Sequence, residues 1–277
     1  MKVFISVDME GISGITSMKQ ISSSGAEYGN ARLLMIEDVN AAVAGALEGG
    51  ASQIWVRDAH GSAINILPEK LHPSARLVAG WAPVLDMLQG LDSTFGLVFF
   101  VGYHPGPPAA GGVLSHTFSM SLIREVTVNE ISAGESLLNA IQAGVTGVPI
   151  GLVTGERGLR EEIAPVLGEA LFVQTKIGYG YQSALLEPVR ECREQIRAAA
   201  SAAVKRCLHG TGFPVYKPAL PVRARVDYHR AEACAASLLV PGVEPIDTRS
   251  IRLQADSAEE FVRRFQLLCQ VLYGMEK

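Results

Sequence analysis

Apolar positions fall in short runs that end in polar residues, separated by longer stretches whose apolar residues recur every three or four positions. "KVFISVD" opens the chain as a strand and leads through a glycine- and serine-rich turn to a predicted helix over residues 28–47. Ile36, Val39, Val43 and Leu47 share one face of that helix, and Gly49-Gly50 ends it. "SQIWVRDAHG" is a second β-rich run ending in polar residues. Pro83 opens a short predicted helix carrying Val84, Leu85 and Leu88. "FGLVFFVGYH" then reads as a buried strand, and residues 105–112 as a loop rich in proline and glycine. "IREVTVN" alternates as a strand does, residues 132–143 read as a helix, and "VPIGLVTGE" is another apolar strand. Predicted helices over residues 157–167 and 184–208 flank a strand near "ALFVQTK".

Strands alternating with helices predict an α/β fold, a mostly parallel sheet flanked by helices. After "HGTGFP" the pattern shifts to strand, helix, strand, helix with more charge, which predicts a smaller α+β C-terminal domain. The expected division is residues 1–212 for the main α/β domain and 213–277 for the small one. Neither an internal repeat nor a low-complexity tract interrupts the pattern.

Composition narrows the function classes. With 24 basic and 28 acidic residues, a formal charge of -4 and no basic block, nucleic acid is not an expected partner. Mean hydropathy is +0.22. Even so, the longest apolar run, "GLVFFVG", is far short of the roughly 18 residues of a membrane span, so no membrane is expected. The apolar stretch near the N-terminus is too short for a signal peptide, which predicts a cytosolic protein. Cys192, Cys207, Cys234 and Cys269 have no C-x-x-C spacing and read as unpaired thiols.

Chemistry gathers where strands end. "SVDMEGISG" places Asp8 and Glu10 one position apart at the end of the first strand, Asp58 and His60 end the second, and His104 follows "FVGY". In an open parallel sheet ligands bind beyond the carboxyl ends of the strands, so these residues are candidates for one site. Two carboxylates held together repel unless a cation neutralises them, and carboxylate with imidazole suits zinc, manganese, cobalt or iron, with zinc the first choice. Glu135 stays open at this level, because Ser132 and Glu135 also fit a capping box at a helix start. Asp58 reads either as an orienting partner of His60 or as a surface acid, with Asn65 and Ser115 as weaker partners.

The segments "SVDMEGISG", "RDAHGSAIN", "VGYHPG", "LSHTFS", "GESLLNAIQAGVTGVPIGLVTGE" and the lysine of "TKIG" resemble the DppA family of D-aminopeptidases, zinc peptidases of family M55, in order and spacing to about residue 180. The resemblance implies that Asp8, Glu10, His60, His104 and Glu135 bind two Zn2+ ions, with Asp8 bridging, and that His116 is the catalytic residue. It implies an aminopeptidase that cuts the N-terminal residue from short peptides, preferring D-amino acids, by water activated at the binuclear zinc site. It also implies a ring-shaped homo-oligomer, a decamer by family resemblance. Two departures bear on substrate choice: "TGER" places Glu156 where the family has a shorter acid, and "IGYGYQSALLEP" leaves the pattern. The rival readings are a metal-dependent amidohydrolase acting on a non-peptide amide, and a non-catalytic peptide-binding component of a transport system.

Overall fold

The computed structural model describes residues 1–82, 86–107 and 109–276. Strand β1 (Lys2–Val7) leads through a short helix α1 (Met18–Ile21) into α2 (Tyr28–Glu48), which Gly49 ends. Then come β2 (Gln53–Asp58), β3 (Ala75–Val78), β4 (Leu97–Tyr103), β5 (Ile123–Val128), β6 (Ile131–Ser132), α3 (Glu135–Thr146), β7 (Ile150–Glu156), α4 (Arg157–Leu167), β8 (Leu171–Gly180), β9 (Ser183–Leu186) and α5 (Val189–Leu208). The chain ends with β10 (Val222–Tyr228), α6 (Ala231–Ser237), β11 (Val243–Asp247), β12 (Ser250–Ala255) and α7 (Ala258–Tyr273).

The main sheet has the order β3-β2-β1-β4-β7-β8-β9 and is parallel except for the β8–β9 pair. Alternation along its central strands explains the apolar runs. Val3, Ile5 and Val7 enter one core with Leu97, Phe99 and Val101, while Phe4 enters the core on the opposite face with Val98 and Phe100. Both faces are covered, so a central strand cannot carry a solvent-facing polar row. Helices α2 and α5 pack against the first of these cores through Val39, Val43, Ile196 and Val204.

The second sheet is antiparallel in the order β11-β12-β10-β5-β6. It draws β5 and β6 from the middle of the chain, so its pairings cross the expected boundary at residue 213. Helix α3 joins the two layers. Its Leu137, Leu138 and Ile141 pack under the second sheet, and Ala140 and Ala143 pack behind β4 and β7.

Several local expectations change. Residues 83–85 of the short predicted helix lie outside the described residues, and Asp86–Leu88 form a 3-10 turn. The short edge strand β3 adds to the predicted strands, and β9 takes the start of the predicted helix over residues 184–208. Ser132 lies in β6 with its hydroxyl donating to Pro107 O at 3.2 Å, and α3 is capped from Gly134, so the expected capping box with Glu135 does not form. All four cysteines are unpaired, and among the described residues no helix is long and apolar enough to cross a membrane.

Candidate metal centre

Order in the main sheet reverses at β1, which has β2 on one side and β4 on the other, and a crevice opens beyond the carboxyl ends of such strands. Asp8 follows β1 directly, and Glu10 lies in the turn behind it rather than on an extended strand. That turn is tied to β4 by Asp8 N to Val101 O at 2.9 Å and Gly11 N to Gly102 O at 2.7 Å. The approach requires glycine: a Cβ on Gly11 would lie 1.9 Å from Tyr103 O, and one on Gly102, whose φ is +71°, would lie 2.4 Å from Asp8 O. His60 stands two residues past β2, His104 one past β4, and Glu135 is the first residue of α3.

These side chains converge on one cleft. Asp8, Glu10, His104 and Glu135 are buried, and His60 and His116 are nearly so. Oxygens of Asp8 and Glu10 and a nitrogen of His104 lie within 4.8 Å of one another, and so do the donor atoms of His104, His116 and Glu135. His104 and His116 stack with ring centroids 4.3 Å apart.

Each imidazole has one nitrogen fixed by a backbone carbonyl. His60 Nε2 donates to Ile21 O at 2.9 Å, His104 Nδ1 to Pro105 O at 3.0 Å, and His116 Nδ1 to Leu114 O at 2.9 Å. A carbonyl only accepts, so the proton of each neutral ring sits on that nitrogen and the other presents a lone pair. His60 Nδ1 then faces Asp8 Oδ1 at 3.2 Å and Glu10 Oε2 at 3.1 Å. His104 Nε2 faces Asp8 Oδ2 at 3.3 Å and Glu135 Oε2 at 3.5 Å. Acceptor opposes acceptor throughout, and Asp8 Oδ2, Glu10 Oε2 and His104 Nε2 are buried without a hydrogen-bond partner. Buried polar atoms are rarely left in this state. A cation between them satisfies all of these atoms at once, so the residues present fit a metal.

Without a cation, protons must do the neutralising. Burial works to lower the His60 and His104 pKa values, but Glu10 and Asp8 around the first and Glu135 and Asp8 around the second raise both well above the usual imidazole range. Burial opposes ionisation of Asp8 too, yet hydrogen bonds from His104 and His60 hold it well below the usual carboxylate range.

Asp58 is buried at the end of β2 and does not touch the His60 ring. Its carboxylate accepts Asn65 N at 2.6 Å, Ile66 N at 2.8 Å and Asn65 Nδ2 at 2.7 Å. Asn65 Nδ2 also donates to His60 O at 2.7 Å, and Tyr28 OH donates to Asn65 Oδ1 at 2.6 Å. Asp58 thus folds the loop that presents His60. Glu156, the longer acid of "TGER", is buried, with Oε1 accepting Val113 N at 2.8 Å.

Two supporting residues gain a role only from the structure. Lys176, fully buried, donates from Nζ to Glu10 O and Ile15 O, each at 2.6 Å, and burial lowers its pKa to about 8. Glu162 accepts Gly106 N at 2.6 Å and Gly134 N at 3.2 Å, bracing the turns beside His104 and Glu135, and burial pushes its carboxyl up to about 7. In sequence it is one acid on an amphipathic helix, with nothing to separate it from Glu161. Glu135 itself braces the His116 loop, accepting Phe118 N at 2.7 Å. Leu114 and Phe118 flank that loop at φ +53° and +57°, strained values for such side chains.

A family model described as D-aminopeptidase, peptidase M55, matches residues 1–267. A D-aminopeptidase of Bacillus subtilis (strain 168) is 38% identical over 178 residues, and the match spans 63% of this chain and a little under two thirds, 64%, of that protein. The solved structure of the Zn-dependent D-aminopeptidase DppA from Bacillus subtilis, described as a self-compartmentalizing protease, superposes with a TM-score of 0.89. That superposition covers 99% of this chain and 98% of the relative at 26% identity. A family match running nearly the whole length, on a fold shared with a solved relative, makes this chain a member of the D-aminopeptidase family, peptidase M55.

Proposed function

We propose that the protein is a zinc-dependent aminopeptidase that hydrolyses the N-terminal residue of short peptides, with preference for a D-configured first residue. The observation that carries this reading is the set of imidazole nitrogens facing buried carboxylates, which a cation at the mouth of the main sheet would satisfy together. Family membership and the zinc dependence of the structural relative support the choice of metal and of reaction.

Asp8, Glu10, His60, His104 and Glu135 would hold two zinc ions, and the two oxygens of Asp8, which face different imidazoles, suit it to serve both. Three carboxylates against two divalent ions leave one positive charge, which suits a site that must gather an anionic transition state. Zinc bound there supplies Lewis-acid polarisation of a carbonyl and lowers the pKa of water to near 7. His116 donates from Nδ1 to Leu114 O, so its Nε2 is the atom that takes up or delivers a proton, and the leaving amine requires one. Glu135, 3.6 Å from that nitrogen, stabilises the protonated ring.

The cleft spans about 520 Å³, enough for a short peptide and too small for a folded chain. We place the enzyme in the cytosol as a ring-shaped homo-oligomer, decameric on the earlier resemblance. Its unpaired thiols favour a reducing compartment, and the structural relative is described as self-compartmentalizing.

Elemental analysis after zinc loading, with a panel of D-aminoacyl, L-aminoacyl and N-blocked substrates, tests the proposal. About two zinc ions per chain, fewer in Glu10→Gln and His104→Ala, and turnover only with a free amine are expected. A metal-free parent, or turnover of N-blocked amides, overturns it. His116→Ala is expected to keep both ions and lose turnover by orders of magnitude. A lost ion in that variant would favour His116 as a ligand, which its shared reach with His104 and Glu135 also permits.

A further inference from the structure

The cleft is lined by two carboxylates outside the proposed ligand set, Asp86 and Glu276. Glu276 is answered within the protein, its Oε1 accepting from Ser121 Oγ at 2.6 Å and from Ser119 Oγ. Asp86 is not matched in this way. Its Oδ2 accepts Tyr273 OH at 3.1 Å, and among the described residues no donor reaches its Oδ1.

Arg57 is the cation beside it, and its guanidinium is committed elsewhere. Nε donates to the backbone carbonyl of Asp86 at 2.9 Å, and Nη1 to Gly80 O at 2.7 Å. Asp86 is therefore held by its backbone, and although the Arg57 charge favours its ionised form, among the described residues no cation lies within ion-pair distance of its carboxylate. The turn is further pinned where Ser6 Oγ donates to Met87 O at 2.7 Å. Asp86 sits at φ +41°, a left-handed conformation that aspartate and asparagine tolerate better than most residues.

The electrostatics agree with this geometry. Burial above all pushes the Asp86 carboxyl up to about 6, so it is ionised at neutral pH, although Glu135 and Asp8 add to the unfavourable field. Burial, with the charge of Asp86, raises the Tyr273 phenol well above its usual range, so Tyr273 remains the donor. A half-buried carboxylate with one neutral donor and, among the described residues, no paired cation favours a cation supplied from the cleft. A lone carboxylate with a phenol is too sparse a set for a metal ion, which takes several oxygen ligands.

We propose that Asp86, oriented by Tyr273, seats a primary ammonium group of the substrate and governs substrate choice rather than bond cleavage. The inference rests on the aminopeptidase reading, in which every substrate carries an α-ammonium and a basic first residue carries a second. Asp86 is the binding residue and Tyr273 its positioning residue.

Kinetics of the zinc-loaded, full-length protein with D-alanine and D-lysine p-nitroanilides test it, for the parent, Asp86→Asn and Tyr273→Phe. Calorimetric binding of D-alaninol and D-lysinol, which have no scissile bond, runs alongside. Asp86→Asn is near-isosteric and suits the backbone, so it is expected to fold and keep its zinc. It is expected to raise KM and the matching Kd about tenfold, with kcat within twofold, the mark of lost uniform binding. Tyr273→Phe is expected to shift KM in the same direction by about threefold. An effect on both ligand pairs identifies the α-ammonium, and an effect on the lysine pair alone identifies the side-chain ammonium. Unchanged KM and Kd throughout, or a loss confined to kcat or zinc content, overturns the inference. A parent that binds the amino alcohols through Asp86 but cleaves neither anilide would sink the aminopeptidase reading and leave this one standing.

Discussion

Replacing Asp58 by asparagine tests whether the metal site depends on the loop that presents it. The carboxylate accepts two backbone N–H groups through Oδ2 and the Asn65 amide through Oδ1. An asparagine can keep its oxygen where Oδ2 was and retain both backbone bonds. Its NH2 then faces Asn65 Nδ2, donor against donor. Turning the Asn65 amide over relieves that clash but gives up the bonds to His60 O and from Tyr28 OH. Either way about one buried hydrogen bond is lost and another strained, a cost of about 2 kcal/mol. His60 is displaced with its loop, and loosening a partner that orients a ligand typically costs about 10–100-fold in metal affinity or activity. Urea denaturation of the zinc-free protein would measure the first effect, and competition with a zinc chelator would measure the second. The reasoning fails if stability drops by the expected amount while zinc affinity and kcat/KM stay at parental values, because the loop would then be unable to move His60.

Lys176→Met is expected to destabilise the protein by about 3 kcal/mol, since it strips the buried Glu10 and Ile15 carbonyls of their shared donor; a midpoint of urea unfolding equal to the parent's would contradict this. Gly11→Ala is expected to abolish soluble expression, because its Cβ would overlap Tyr103 O at 1.9 Å, and a folded variant with normal thermal melting would show that the turn can move. Metal binding should weaken as pH falls: His60 and His104 have pKa values raised well above the imidazole range without metal, so each gives up a proton to the incoming ion. Calorimetry at pH 7 in two buffers of different ionisation enthalpy should show proton release on zinc binding, and identical heats in both would refute it.

The continuous apolar runs through Val3, Phe4 and Ile5 and through Leu97, Val98 and Phe99 were legible because a strand covered on both faces must be apolar at successive positions. The same locality made Asp8, Glu10, His60 and His104 visible as candidates, since charge at the end of a buried strand is conspicuous. Glu135 and His116 were reached only through resemblance, their local settings being a helix start and a polar loop. Other features exist only as contacts between distant segments. Strand β5 pairs with β10, which begins nearly a hundred residues later, and neither sequence names the other. Glu162 and the Asp86–Tyr273 pair look like ordinary residues of helix and turn until folding brings them together, and Lys176, noticed only by resemblance, has no visible role until its bond to Glu10 O is seen. Periodicity along the chain determined which residues are apolar faces and which are strand ends. Tertiary structure alone decided which lone pairs oppose which carboxylates, because that depends on backbone carbonyls such as Ile21 O and Pro105 O that turn each ring, and on burial that denies those atoms water.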